Sequence, residues 1–117
     1  MVINYQKLYF FLTLNLLGVN HVVTSQQIYS VEYESQADIK VYVVEFESQC
    51  DLKVYKVGYQ SQAQGNEGLW YFVDYVSQAK KKIYFVNYES QADLKIYFVK
   101  YKSNAGWKSK KRIHLMY

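Results

Sequence analysis

Apolar and polar positions alternate in short segments from Ile28 onward, and this alternation predicts β-strands. A representative segment, Ile83–Tyr88, is rich in aromatic and β-branched residues and has a polar residue, Asn87, at its fifth position. A short run rich in Ser, Gln, Ala and Asp follows each such segment and predicts a compact turn. The pattern then repeats, so that the chain contains six copies of a 13-residue unit with a three-residue insertion, residues 67–69, in the middle. The copies are Ile28–Lys40, Val41–Lys53, Val54–Asn66, Trp70–Lys82, Ile83–Lys95 and Ile96–Lys108.

We number the 13 residues of each unit as slots one to thirteen, and three of these slots are predicted to form the core. Slots two, four and six point to the same side of a strand because side chains alternate between its faces. Slot six is Tyr or Phe. Slots two and four hold Tyr29, Val31, Tyr42, Val44, Tyr55, Val57, Tyr71, Val73, Tyr84, Val86, Tyr97 and Val99. We therefore expect a core of tyrosine and valine, with slots one, three and five on a partly wet face.

The second half of the unit predicts a capped turn. Slot eight is Ser in every copy, and in three copies an Asp follows three residues later. A Ser hydroxyl and a carboxylate at this spacing can each bond a backbone N–H of one helical turn. The predicted caps are Ser35 with Asp38, Ser48 with Asp51, and Ser90 with Asp93.

The repeat predicts a mainly β fold in one compact domain, residues 26–108. No single unit can bury its own apolar face, so the six strand-plus-turn units must pack together. A short β-solenoid or a closed, barrel-like arrangement would satisfy this requirement, and closure would remove exposed sheet edges.

The repeated unit resembles a known family. The unit Val/Ile-Tyr-Phe-Val-x-Tyr-Glu-Ser-Gln-Ala-Asp-Leu-Lys, with the step from Gly68 to Val73 between the two halves, is similar to the septoil-knot domain family from Ile28 to about Lys108. The resemblance implies a backbone that forms a seven-crossing torus knot. It implies no catalytic residues, because the function of the family is uncharacterised.

The N-terminus predicts a signal peptide over residues 1–25, helical in form. Lys7 precedes a mostly apolar stretch, residues 8–19, and residues 23–25 are small or aliphatic. The apolar stretch is too short for a typical transmembrane helix. Cleavage near Ser25/Gln26 would place the protein in the secreted, periplasmic or cell-surface compartment. The alternative is that this segment is a buried element of the domain.

Composition narrows the class of protein. Half of the 117 residues are hydrophobic and 19% are aromatic, which excludes a disordered chain. Residues 26–53 carry six carboxylates against two lysines, a net charge of −4, whereas residues 54–117 carry eleven basic groups against four acidic ones, a net charge of +7. This asymmetry can steer partners or hold the two ends of the chain together. Residues 109–117 are predicted to be a basic C-terminal tail.

Candidate chemistry is sparse. Cys50 occupies a slot that is Ala in the other copies, so we interpret it as a small buried group rather than a nucleophile. His114 has no companion ligand at metal spacing. The aspartates at identical turn positions indicate capping rather than a calcium or acid–base cluster. We therefore predict no enzyme activity, no cofactor and no metal site.

Two functional hypotheses remain open. The first is an exported, non-catalytic, very stable structural or interaction module, expected to be monomeric and not to bind nucleic acid. The second is a glycan- or peptide-binding module that uses tyrosines and the basic C-terminal end. The candidate binding residues at that end are Trp107, Lys108, Lys110, Lys111 and Arg112. Burial of the slot-two and slot-six rings would favour the first hypothesis, and an exposed contiguous patch of them the second.

Overall fold

The computed structural model describes residues 25–117, and the predicted signal segment therefore lies outside the described residues except for Ser25. Within this range, seven strands alternate with seven 3₁₀ segments. The strands are β1 (Gln27–Ser30), β2 (Ile39–Val43), β3 (Leu52–Lys56), β4 (Leu69–Phe72), β5 (Lys81–Phe85), β6 (Leu94–Phe98) and β7 (Gly106–Trp107). The 3₁₀ segments are η1 (Glu34–Gln36), η2 (Glu47–Gln49), η3 (Gln60–Gln62), η4 (Val76–Gln78), η5 (Glu89–Gln91), η6 (Lys102–Asn104) and η7 (Lys110–Met116).

Six of the strands form a closed parallel barrel. The strand order is β4-β1-β5-β2-β6-β3, and pairing of β3 with β4 closes the ring. The closing register aligns Tyr55 with Leu69. β7 pairs antiparallel to β3. The mainly β prediction is confirmed, and of the two arrangements left open by the sequence, the protein adopts the closed one.

Consecutive strands are not neighbours in the barrel, except for β3 and β4, because the other connections cross over an intervening strand. The connection from β1 to β2 crosses β5 and is bonded to it at both ends. The Val31 N–H donates to the Ile83 carbonyl, and the Asp38 N–H donates to the Lys82 carbonyl, each at 2.8 Å. Since the connections within each half of the chain skip one strand, the strands of copies four to six lie between those of copies one to three. The 3₁₀ turns consequently lie on the outside of the barrel.

The core consists of slots one and twelve, so the predicted assignment of the faces is wrong. The buried cluster is Ile28, Ile39, Val41, Leu52, Val54, Trp70, Ile83, Leu94, Ile96 and Met116. Most of the strands also begin one or two residues before the copy boundary and end at slot three. The alternation was correctly inferred, but the aliphatic face points inward and the tyrosine face points outward.

The predicted core positions lie on the outer face, beneath and beside the crossing turns. All six slot-two tyrosines are half-buried and lie outside the buried cluster. The slot-four valines are buried in four copies, at Val31, Val44, Val57 and Val86, and half-buried at Val73 and Val99. The slot-six rings are exposed in every copy. The crossing turns cover part of the outer face, which explains why slot four is buried although it points away from the core.

Slot three shows how the interleaved topology fills one end of the barrel. Copies four to six carry Phe72, Phe85 and Phe98 there, and these rings pack against the core. Copies one to three carry Ser30, Val43 and Lys56. Because the two halves interleave, large rings alternate with other side chains around the ring, as in other small barrels. The Lys56 ammonium lies 4.5 Å from the Phe98 ring centre and 5.4 Å from that of Phe72, on the two neighbouring strands.

The repeated aspartates join neighbouring strands and do not cap the turns. The turns of the three predicted capping pairs have no side-chain cap hydrogen bond. Instead, each Asp carboxylate accepts from the backbone N–H of a Lys on the strand that the turn has crossed, and the Asp N–H donates to the carbonyl of the same Lys. The Oδ2 to N distances are 2.8 Å for Asp38–Lys82, 2.9 Å for Asp51–Lys95 and 2.9 Å for Asp93–Lys40. The capping prediction is therefore wrong, and we call these three contacts the aspartate clamps.

Two variants distinguish the aspartate clamps from the predicted caps of the turns. Asp51→Ala is expected to lower the free energy of unfolding by about 1–3 kcal/mol, because it leaves the half-buried Lys95 N–H without its acceptor. Ser48→Ala, on the preceding turn, is expected to change it by less than about 0.5 kcal/mol, since a cap would cost about 1 kcal/mol. Urea unfolding followed by circular dichroism measures both. Equal losses in the two variants would restore the capping model.

Candidate binding surface

Six exposed aromatic rings form the most regular feature of the outer surface. Slot six is the residue that begins each crossing turn, in extended conformation, and each of its rings is 60–71% exposed. The rings are Tyr33, Phe46, Tyr59, Tyr75, Tyr88 and Tyr101. Because the six crossing turns are distributed around the barrel, we call this set the aromatic belt. The barrel and its backbone hydrogen bonds fix the start of every turn, so the rings are attached to rigid positions.

A groove of about 470 Å³ lies beside one belt ring, at the junction of η1 and η4. Its lower wall is formed by Tyr29 and the buried Val31 of copy one, and Val76 of η4 forms another part. Tyr33, of the aromatic belt, also lines it. The volume lies within the range of small-molecule sites.

Polar and charged groups complete this groove. Glu32 contributes a carboxylate and Lys82 an ammonium, and both residues line the groove. Ser35 and Gln36 add a hydroxyl and an amide from η1. The groove therefore combines apolar and aromatic walls with donors and acceptors, and its two charges balance. None of these residues was singled out as a polar site from the sequence, because the contact between copies one and four depends on the strand order.

The C-terminal segment, predicted from the sequence as a basic tail, folds back onto the barrel. Met116 of η7 is 1% exposed and belongs to the core cluster. The Gln26 side-chain amide donates to the Met116 carbonyl at 2.7 Å, and the Asn66 side-chain amide donates to the Ile113 carbonyl at 3.1 Å. Apolar side chains of this segment thus help to bury the barrel core, a role that its basic residues hide in the sequence.

The candidate binding residues at the C-terminal end do not form one basic–aromatic patch. Trp107 is half-buried, packs against the core and donates its indole N–H to the Asn66 carbonyl at 2.8 Å. The basic residues Lys108, Lys110, Lys111 and Arg112 are exposed. Lys111 and Arg112 share a pocket of about 280 Å³ with the carboxylates of Asp51, Glu89 and Asp93. Here the basic end of the chain faces acidic groups, of which only Asp51 lies in the acidic part of the chain, residues 26–53.

Cys50 and His114 are the other two residues that the sequence analysis considered for chemistry. Cys50 is buried, and burial raises the pKa of its thiol, although the nearby Lys108 ammonium acts in the opposite direction. His114 is exposed on η7. Among residues 25–117, no three His, Cys, Asp or Glu side chains lie close enough together to hold a metal ion. Within the same part of the chain, no helix has the length and apolarity needed to span a membrane.

The repeat and the closed parallel barrel agree with one protein family. The family model described as the 7(1) septoil knot domain matches residues 25–108. The chain belongs to the septoil knot domain family. No curated protein matches it, and no solved structure matches it. Membership confirms the resemblance seen in the repeated unit, and the match begins at the first residue that the structure describes. The knotted path of the septoil knot domain stays a prediction from the family.

Proposed function

We propose that this septoil knot domain is an exported, non-catalytic interaction module that binds glycans through its aromatic belt. The observation that carries the proposal is the exposure of all six slot-six rings at equivalent points of the repeat. Exposed aromatic rings add nothing to the core, and a purely structural module would favour polar residues at these positions. Aromatic rings on rigid supports are suited to stack against the C–H faces of sugars.

Export is supported by the order of residues at the N-terminus, with a charge, an apolar stretch and small residues before Gln26. Gln26 is buried and its N–H donates to the Ala63 carbonyl at 2.8 Å, so the residues from Gln26 onward are needed in the mature chain. A protein that acts outside the cytoplasm would meet glycans as a common class of partner.

A glycan array probed with secreted protein tests this proposal. The mass of the secreted chain is measured first and is expected to show an N-terminus close to Gln26; retention of Met1 would contradict export. On an array of neutral and anionic glycans, we expect the wild type to bind at least one class. A variant in which the six belt rings are replaced by Ser is expected to lose at least tenfold in signal.

The control variant replaces by Ala the five slot-eight serines that do not line the groove, Ser48, Ser61, Ser77, Ser90 and Ser103. These serines are exposed on the same turns, so the variant changes the turns but keeps the rings. Both variants are compared with the wild type by circular dichroism to establish that they are folded. Absence of binding by the wild type, or equal binding by the variant without rings, would refute the proposed function.

A further inference from the structure

Copy four, whose turn contacts copy one, departs from the repeat at slot seven. Slot seven is Glu in copies one, two and five, whereas copy four has Val76. The η4 turn crosses β1 and contacts it, which places Val76 in the groove beside copy one. An apolar side chain therefore lines the groove where three other copies have a carboxylate.

The same difference leaves the Lys82 ammonium unengaged. In copies one and five, the slot-thirteen Lys pairs with the slot-seven Glu of the same copy. These pairs are Lys40–Glu34 at 3.6 Å and Lys95–Glu89 at 3.4 Å. Copy four lacks this Glu, and within the described residues 25–117 Lys82 has no ion pair. The clamp from Asp38 holds the Lys82 backbone at 2.8 Å, so the side chain extends from a fixed point at the groove.

The walls of this groove offer contacts for both the C–H groups and the hydroxyl groups of a sugar ring. Tyr29 and Tyr33, with the apolar Val31 and Val76, offer a surface to C–H groups. Glu32, Gln36 and Lys82 offer an acceptor, an amide and a donor to hydroxyl groups. A groove with one positive and one negative group favours a neutral ligand, because either net charge would meet one like charge.

We infer that the groove between η1 and η4 is a binding subsite for one neutral sugar unit of a glycan. This inference rests on the proposed function and adds the location and the charge class of the ligand. Tyr33 is the stacking residue, while Glu32 and Lys82 bond hydroxyl groups on the rim of the ring. An extended peptide is a poorer fit, since the six-stranded barrel is closed and offers it no free parallel edge.

Calorimetric titration with defined oligosaccharides tests the inference. The neutral probes are the hexasaccharides of cellulose, starch and chitin, and a heparin-derived hexasaccharide is the anionic probe. We expect the wild type to bind at least one neutral probe more tightly than the anionic one. Val76→Glu is expected to weaken that binding at least tenfold, because the new carboxylate can pair with Lys82 as Glu89 does with Lys95. Tyr33→Ala is expected to weaken it by a similar factor.

Gln60→Glu is the matched control. It introduces the same residue at slot seven of copy three, which does not line the groove, and is expected to leave affinity within twofold. Val76 is 53% exposed and Gln60 is also exposed, so neither Val76→Glu nor Gln60→Glu should disturb the fold. Neutral-glycan binding that is unaffected by Val76→Glu, or tighter binding of the anionic probe, would overturn the subsite and leave the belt function standing. A wild type that binds no glycan, on the array or in solution, would overturn both.

Discussion

Gly68→Ala is expected to lower the free energy of unfolding by about 3 kcal/mol or more. Gly68 is buried and has φ of +83°, in the left-handed region. A Cβ at this position would overlap the Lys53 carbonyl oxygen and lie 3.2 Å from Leu52 Cδ1. Both residues belong to β3, which pairs with β4 to close the barrel, so the strain falls on the closing pair.

Gly65→Ala is the control for the backbone conformation alone. Gly65 has φ of +73°, and a Cβ there would have no heavy atom within 4 Å. We therefore expect a loss of only about 1–2 kcal/mol, the cost of a left-handed alanine. Guanidinium unfolding monitored by circular dichroism gives both values. Losses of equal size would show that the close approach of β4 to β3 at Gly68 does not contribute.

Trp70→Ala is expected to cost about 3–5 kcal/mol, as large-to-small changes of fully buried aromatic residues do. Trp70 occupies slot one of copy four and is 0% exposed, at the centre of the core cluster. Tyr75→Ala, at slot six of the same copy, removes a ring that is 68% exposed and is expected to change stability by no more than about 0.5 kcal/mol.

This pair of variants tests which face of the strand is the core. The tyrosine-core model would require a large loss on removal of Tyr75 and a small one on removal of Trp70. Chemical unfolding detected in the far-ultraviolet is suitable, because its signal does not depend on the deleted indole. A larger loss for Tyr75→Ala than for Trp70→Ala would reverse the assignment of the faces given by the structure.

The repeat could be detected from the sequence because it consists of residue types that recur at fixed spacing. The length of the unit, the alternation within each strand and the position of each turn follow from residue types at fixed spacing. The family resemblance also follows from the unit. The side of the strand that faces inward does not, since both slot one and slot two are apolar or aromatic and either face could be buried. In a closed barrel the aliphatic side chains fit the narrow interior, whereas tyrosines on the outside can be half-covered by crossing turns.

The role of the aspartates shows a second limit of local patterns. Ser followed three residues later by Asp is a valid capping pattern, and the turn does form where the pattern predicts it. The carboxylate of Asp51 nevertheless bonds the N–H of Lys95, 44 residues away. Only the strand order brings these two groups together, so no inspection of the turn by itself could have assigned the clamp.

The sequence likewise indicated only part of the candidate site. The aromatic residue at slot six of every copy was visible in the sequence, but these rings were predicted to lie in the core and are exposed. The groove could not be inferred from the sequence, because it joins Tyr33 and Glu32 of copy one to Val76 and Lys82 of copy four. The basic C-terminal end was a weaker guide, because its charges conceal the apolar contacts of Met116.

By itself the sequence determined the number of units, their strand-and-turn composition and the family, since each of these depends on residues close together in the chain. The tertiary structure decided which face is buried, which strands are neighbours and which copies share a groove. The physical reason is that these properties depend on contacts between units. The equivalent slots of six similar copies have similar local preferences, and only the strand order of the closed barrel decides which copies become neighbours.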